Sequence, residues 1–250
     1  DTVGLMVRVG EHDVLWDVYQ LMRGCTGDDM TQVSDDHDGV QPENIILWED
    51  AEEYCDPSVW RDTIQFAKMA SSTLQLPLTY SRFGMFKEAM AAYYVIACVE
   101  AWSSLQRFPL YTLSVNPEAP FYPITGSSDT RFGSEVEKRL KMAQSLLSLK
   151  SVDVYNRAVH LRRNVTTFIK NHYIRSMIIT PTAPSPPPRS DTTLPEYDND
   201  IYTVPFSLAG VPVWSLPLNP SKSTKMTFTA AQLVHANPLF IYKHLSRLSA

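Results

Sequence analysis

The chain has 250 residues, 44% hydrophobic and 20% charged, which is material for one large domain or two small ones. A formal net charge of −5 excludes a general affinity for nucleic-acid backbone, so any RNA contact has to come from a local patch or a partner. The longest apolar run, Ala89 to Val99, has 11 residues, short of the roughly 18 that span a bilayer, and no membrane helix or membrane partner is expected.

Gly10 to Gly24 sets Val14, Leu15, Val18, Leu21 and Met22 at helical spacing, with Gly24 placed to end the helix. The polar stretch that follows contains Asp35, Asp36, His37 and Asp38. Four consecutive loop residues seldom converge on one ion and no second cluster completes a shell, so this reads as a solvated loop. Asn44 to Trp48 suits a short buried strand. Asp56 and Pro57 are an N-cap followed by proline in the first turn of a helix. That helix runs to about Ser71 and presents Trp60, Ile64 and Ala67 on one face. Leu74 to Leu78 is a candidate strand. Phe86 to Gln106 is a long helix, apolar nearly all round through Met90, Tyr93, Tyr94, Ile96, Ala97, Trp102 and Leu105, as a helix inside a large core is.

Phe108 to Thr130 carries four prolines and is expected to be irregular. Ser134 to Leu149 and Val152 to about His172 are two further helices. The basic face of the second (Arg157, Arg162, Arg163, Lys170) reads as ordinary solvation. Ile174 to Thr180 is β-rich and opens the most unusual segment of the chain, Ile178 to Pro217. There a buried strand, a proline-rich loop, the acidic knot Tyr197-Asp198-Asn199-Asp200, a small-residue turn Leu208 to Pro212 and a second strand follow one another. Met226 to Val234 alternates weakly like a strand, and Asn237 to Leu248 closes as a helix. Strands alternating with long helices indicate an α/β layer architecture. There are no internal repeats, and the whole of 1–250 reads as one domain.

The three cysteines, Cys25, Cys55 and Cys98, are far apart and form no paired framework, so they are expected to be reduced, buried thiols. Asn164-Val165-Thr166 matches a glycosylation pattern within a predicted helix and is read as incidental. The sequence starts with Asp1 rather than Met, which suggests a processed or partial chain.

Several motifs, in order, resemble the amidase signature family, and within it the A subunit of glutamyl-tRNA(Gln) amidotransferases. Thr180-Pro181-Thr182-Ala183-Pro184, Asn199-Asp200-Ile201-Tyr202-Thr203-Val204-Pro205 and Leu208-Ala209-Gly210-Val211-Pro212 are similar to that family's C-terminal half. Asp1 to Gly4, Tyr93 to Ala97 with Glu100-Ala101, Ser103 to Leu105 and Arg107-Phe108, and Arg131-Phe132-Gly133 with Glu135-Val136 and Lys138-Arg139-Leu140 extend the likeness over nearly the whole chain, continued by Asp153, Tyr155 and Arg163. The resemblance implies a mixed sheet flanked by helices (α/β/α), here only the C-terminal portion of the fold. It implies hydrolysis of a primary amide by a Ser–cis-Ser–Lys triad, with no cofactor and no metal. The triad belongs upstream of the part represented here, so no catalytic residue is assigned in this chain.

The same resemblance implies substrate-side roles for Tyr93, Arg139 and Asp200 as contacts to glutamine. An Arg fork binds the α-carboxylate, a carboxylate pairs the ammonium, and a tyrosine hydroxyl lines the wall. Taken singly, each has a plainer reading: Arg139 as a solvated helix residue, Tyr93 as core packing, Asp200 as a turn or cap residue. Departures from the family pattern cluster at glycines, of which the chain has nine. Leu5 stands where a proline is usual, Pro109-Leu110 where Asp-Gly is, and Ala143 where a glycine is. Ala230 to His235 keeps only Gln232 of a Gly-x-Gln-x-x-Gly pattern. Two functions stay open: the C-terminal portion of an active A-type protein, releasing ammonia from glutamine for tRNA-linked conversion of Glu to Gln, or a catalytically inactive scaffold within a larger assembly. An amidase for other small or lipid amides is a weaker third, because it leaves Arg139 and Asp200 without a charged ligand. Partners implied are other amidotransferase-type subunits, with tRNA reached only through them. The compartment implied is the mitochondrial matrix or cytoplasm, the former preferred.

Overall fold

The computed structural model describes residues 40–105, 134–148, 152–186, 198–218 and 229–248. The expected helix at Gly10 to Gly24, the Asp35 to Asp38 loop and the irregular Phe108 to Thr130 lie outside the described residues.

A five-stranded mixed sheet organises the chain, in the order β2-β1-β3-β5-β4. Its strands are β1 (Asn44–Trp48), β2 (Leu78–Ser81), β3 (Ser176–Pro181), β4 (Trp214–Leu218) and β5 (Thr229–Val234). β1 is parallel to both β2 and β3, whereas β5 is antiparallel to β3 and β4. β1 and β3 are buried almost end to end, as expected of parallel strands covered on both faces. Pro217 interrupts β4, which is tolerated because β4 is an edge strand.

Helix α1 (Pro57–Leu74) lies across one face, packed on all five strands. Its buried residues Val59, Trp60, Thr63, Phe66, Ala67 and Ala70 recur at the spacing of one helical stripe. Asp56 sits at the N-cap position as expected, but its side chain makes no cap bond; its carbonyl accepts the Trp60 amide at 3.1 Å instead. Two expectations need correction here. The helix continues to Leu74, and the strand expected at Leu74 to Leu78 begins only at Leu78. Gln75 adopts a left-handed φ of 57°, which turns the chain and lets the Leu76 amide bond back to Ser71 at 3.1 Å.

The other face carries α2 (Phe86–Leu105), α3 (Ser134–Ser148), α4 (Val152–Tyr173) and the short α5 (Val204–Ala209). Helix α6 (Pro238–Leu248) returns to the α1 side, where Tyr242 lies 6.2 Å from Trp214. Asn237 caps α6 through its side-chain oxygen, which accepts the Phe240 amide at 3.1 Å.

Helix α2 has no amphipathic stripe because α3, α4 and α5 all pack on it. Its contacts also fix helix directions. Arg139 of α3 lies against Tyr94, Met142 meets Cys98 at 3.9 Å, and Leu146 shares a cleft with Val99 and Ser103. Residue numbers rise together, so α2 and α3 run parallel. Helix α4 runs the opposite way: Tyr155 near its start reaches the end of α2, while Phe168 near its end meets Phe83 just before α2.

Trp48 closes β1 on the α4 side, stacked between Phe83 (4.5 Å) and Phe206 (5.3 Å), with Phe86 and Phe168 edge-on. Side-chain alternation puts Ile46, and in register Ile178 and Val234, on this same face. A buried carboxylate supports the cluster from behind. Asp50 accepts the Phe83 amide at 3.0 Å and the Gly84 amide at 2.6 Å, and Gly84 has a φ of +70°. This anchor sets the turn that feeds α2.

Ile178 to Pro217 departs from expectation in its middle, whereas its two strands stand where expected, as β3 and β4. Asp198–Asp200 is a single 3₁₀ turn, and the supposed small-residue turn is the end of α5, stopped by Gly210 at a φ of 63°. Asp200 is exposed, so its carboxylate carries none of the burial cost that a knot between two strands implies. Arg162, read as part of a solvated face, is half-buried, and its Nε donates to the Leu208 carbonyl at 3.3 Å, with Thr166 Oγ1 at 3.4 Å. Together they satisfy a carbonyl at the end of α5.

Candidate functional site

The carboxyl ends of the parallel strands β1, β2 and β3 lie on one side of the sheet; the chain leaving β2 leads into α2, which carries Tyr93, and the chain leaving β3 leads to Asp200, while Arg139 is on α3. Parallel strands of open α/β sheets place ligands at this end. After Pro181 the chain bends and later enters the 3₁₀ turn that holds Asp200; the carbonyl of Asp200 accepts the Thr203 amide and hydroxyl, both at 3.1 Å. Its side chain is left open to solvent.

Tyr93 is half-buried on α2, the helix against which α3 and α5 both pack. Its ring meets Tyr94 edge-on, with centroids 5.6 Å apart and planes at 74°. Arg139 is half-buried rather than solvated, and its guanidinium carbon lies 6.0 Å from the Tyr94 centroid. That distance is at the outer limit of a cation–π contact. The structure therefore joins Tyr93 and Arg139 through Tyr94. Asp200 stands apart, on the segment that leads into α5.

A polar row missed as a unit lies on the same face of the sheet. The buried Gln232 amide donates to the Pro181 carbonyl at 2.9 Å and to Thr180 Oγ1 at 3.3 Å. Thr182 Oγ1 pairs with Ser215 Oγ at 2.9 Å, and the Thr182 amide donates to Ala230 at 2.8 Å. The row pins the Thr180-Pro181-Thr182 motif where the chain leaves the sheet. The signal for it was the survival of Gln232 in a run that had otherwise lost its polar and glycine pattern.

Two other features define the surroundings. Tyr202, fully buried, donates to the Ala51 carbonyl at 2.7 Å, and burial with the neighbouring Cys55 pushes its hydroxyl far above the usual tyrosine range. Burial likewise raises the Cys55 thiol. A mostly apolar cleft of about 400 Å³ opens between α2, α3 and α4, lined by Val95, Val99, Glu100, Leu146 and Tyr155. It lies further along α2 than Tyr93. Among the described residues, no group of three or more His, Cys, Asp or Glu side chains is placed to hold a metal, and no helix is long and apolar enough to cross a membrane.

The sequence pattern of the amidase family matches residues 40–232, the greater part of the chain. The chain belongs to the amidase family. Among curated proteins this amidase-family chain is 35% identical over 173 residues to the A subunit of glutamyl-tRNA(Gln) amidotransferase from Rickettsia bellii (strain RML369-C), covering 64% of this chain and 34% of that protein. It is 33% identical over 193 residues to the corresponding protein of Ehrlichia canis (strain Jake), covering 73% of this chain and 38% of that one. It thus spans little more than a third of the length of these relatives. Among solved structures, the A subunit of glutamyl-tRNA(Gln) amidotransferase from Thermotoga maritima superposes with a TM-score of 0.52 at 22% identity, over 86% of this chain and 42% of that one. A 6-aminohexanoate cyclic dimer hydrolase reaches 0.59 at 15% identity, over 89% and 48%. These likenesses establish the fold, a mixed α/β sheet flanked by helices that is part of the larger amidase-signature fold.

Proposed function

We propose that this chain forms the substrate-side part of a glutamine-hydrolysing amidotransferase subunit of the A type. Arg139 takes the α-carboxylate of glutamine, Asp200 its ammonium, and the Tyr93 hydroxyl lines the wall between them. The observation that carries this reading is the half-buried Arg139, drawn onto the Tyr94 ring of α2, which Tyr93 also meets, rather than extended into water. A guanidinium fork held at a helix–helix seam suits planar, bidentate binding of a carboxylate. Asp200, open to solvent at the sheet's carboxyl end, is available to a small cationic group. Amide cleavage is assigned to residues that these 250 do not include, and delivery of ammonia to charged tRNA is assigned to partner subunits.

A second reading, a non-catalytic scaffold, has its own observation. Ala143 has no exposed surface at a position where the family resemblance implies glycine, and His235 is fully buried at another. Side chains there fill space that a glycine leaves open for close approach. Glutamine binding separates the two.

The test measures binding of L-glutamine, glutaramate (no amine) and 4-aminobutanamide (no carboxylate) to the chain by calorimetry. Arg139→Ala is expected to weaken glutamine and glutaramate roughly tenfold and leave 4-aminobutanamide unchanged. Asp200→Ala is expected to weaken glutamine and 4-aminobutanamide and spare glutaramate. Absence of glutamine binding, or equal losses for all three ligands, sinks the glutamine reading and favours the scaffold.

A further inference from the structure

We infer that Tyr94 is a positioning residue, the platform that holds the Arg139 guanidinium ready for the carboxylate of an amino-acid amide. The inference rests on the glutamine reading above and adds to it a residue whose side chain has no assigned ligand contact. Three observations carry it. The Arg139 guanidinium carbon lies 6.0 Å from the centre of the Tyr94 ring. Tyr93 meets the same ring edge-on at 5.6 Å and 74°. The parallel packing of α2 on α3 fixes which residue faces which: one turn beyond Tyr94–Arg139, Cys98 meets Met142 at 3.9 Å. The Tyr94 ring is therefore set between the hydroxyl-bearing residue and the cation.

The physical need is clear from the side chains. An arginine has four rotatable bonds, and fixing an unrestrained one on a ligand costs rotamer entropy. An aromatic face that already holds the guanidinium by its quadrupole takes on part of that ordering before the ligand arrives. Parallel helices add a second constraint. Sliding α3 along α2 would misalign Arg139 and Met142 together, so the contact is set by a whole seam and not by one flexible side chain. The expected contribution is roughly 3- to 10-fold in affinity, and only for ligands that carry the carboxylate.

A merely structural Tyr94 gives a different pattern: its loss weakens every ligand alike. The experiment therefore reads selectivity. Binding of glutamine, glutaramate and 4-aminobutanamide is measured by calorimetry for wild type, Tyr94→Phe, Tyr94→Leu, Arg139→Ala and the Tyr94→Leu/Arg139→Ala double variant. Expected results are wild-type binding in Tyr94→Phe, which keeps the ring. Tyr94→Leu should lose roughly 3- to 10-fold for glutamine and glutaramate and nothing for 4-aminobutanamide. The double variant should be no weaker than Arg139→Ala alone, because the platform has nothing left to hold. If Tyr94→Leu does not fold, Tyr94→Met, which keeps much of the volume without a π face, replaces it. In the ligand-free chain, the Arg139 Nε proton should shift downfield when the ring is lost.

Failure of the inference and of its foundation look different. If Arg139→Ala discriminates among the ligands but Tyr94→Leu weakens all three alike or none, Tyr94 is not the platform and the glutamine reading stands. If Arg139→Ala fails to discriminate, the carboxylate assignment falls and the role of Tyr94 falls with it.

Discussion

Replacing Asp50 by alanine tests the anchor that sets the entry of α2. Its carboxylate, 5% exposed, accepts the Phe83 amide at 3.0 Å and the Gly84 amide at 2.6 Å. Hydrogen bonds to a charged acceptor contribute about 1.5–3 kcal/mol each. The two amides differ in what they do after the loss. Gly84 is exposed, so its amide rehydrates and little beyond one net bond is lost there. Phe83 is 3% exposed and stacked on Trp48 at 4.5 Å, so its amide stays dry and carries a desolvation cost of about 1–3 kcal/mol. Asp50→Ala is therefore expected to cost about 3 kcal/mol, a large share of the roughly 5–15 kcal/mol that holds a domain folded. Asp50→Asn should recover only part of it, because its amide group presents a donor to one of the two donors. Urea unfolding with linear extrapolation measures the change, read at constant m. A loss below about 1 kcal/mol with m unchanged would show that both amides have other acceptors, and the anchor argument would be wrong.

Three further outcomes follow from the same geometry. Gly84→Ala meets no atom within 4 Å, so its cost is the backbone term at a φ of +70° alone, about 1–2 kcal/mol, read as a fall in thermal midpoint. Gln232→Leu leaves the Pro181 carbonyl and Thr180 hydroxyl without their donor and should cost about 2 kcal/mol in urea; no loss would deny the polar row its role at the motif. Tyr202 retains its proton in the folded chain above the pH near 10 at which an unfolded tyrosine ionises. The unfolded state then binds fewer protons, so stability should fall as pH rises above about 10. Tyr202→Phe should flatten that decline while costing about 1 kcal/mol at neutral pH, and an unchanged alkaline slope in urea titrations would rule out Tyr202 as its source.

β1, α2, α3, α4 and α6 fall close to where the sequence puts them, α2 through a sustained apolar run and not through any stripe. The errors arose where a local pattern had two solutions. Leu74, Leu76 and Leu78 alternate as a strand does, yet the left-handed Gln75 ends a helix among them. Leu208 to Pro212 is rich in small residues and reads as a turn; its first two residues instead end the helix Val204–Ala209, which Arg162 and Thr166 secure at Leu208, contacts 46 and 42 positions away. The candidate site follows the same rule. Nothing local distinguishes Arg139 from a solvated helix residue, because the ring it lies against belongs to another helix. Only the order of family motifs drew attention to it. Gln232 was legible as a survivor, but its partner Thr180, 52 positions away, was not.

The position of β1 in the sheet has a consequence for synthesis. β1 is an interior strand in the final order, yet its partner β3 starts at Ser176, nearly 130 residues after Trp48. At 5–20 residues per second, roughly 6–26 s separate the two strands on the ribosome. Through that interval β1 is an edge, with one row of amides and carbonyls unpaired on a strand made of Ile45, Ile46, Leu47 and Trp48. The nascent β1–α1–β2 unit is therefore the stretch most exposed to pairing with a neighbouring chain, and the one from which a chaperone would have most to shield.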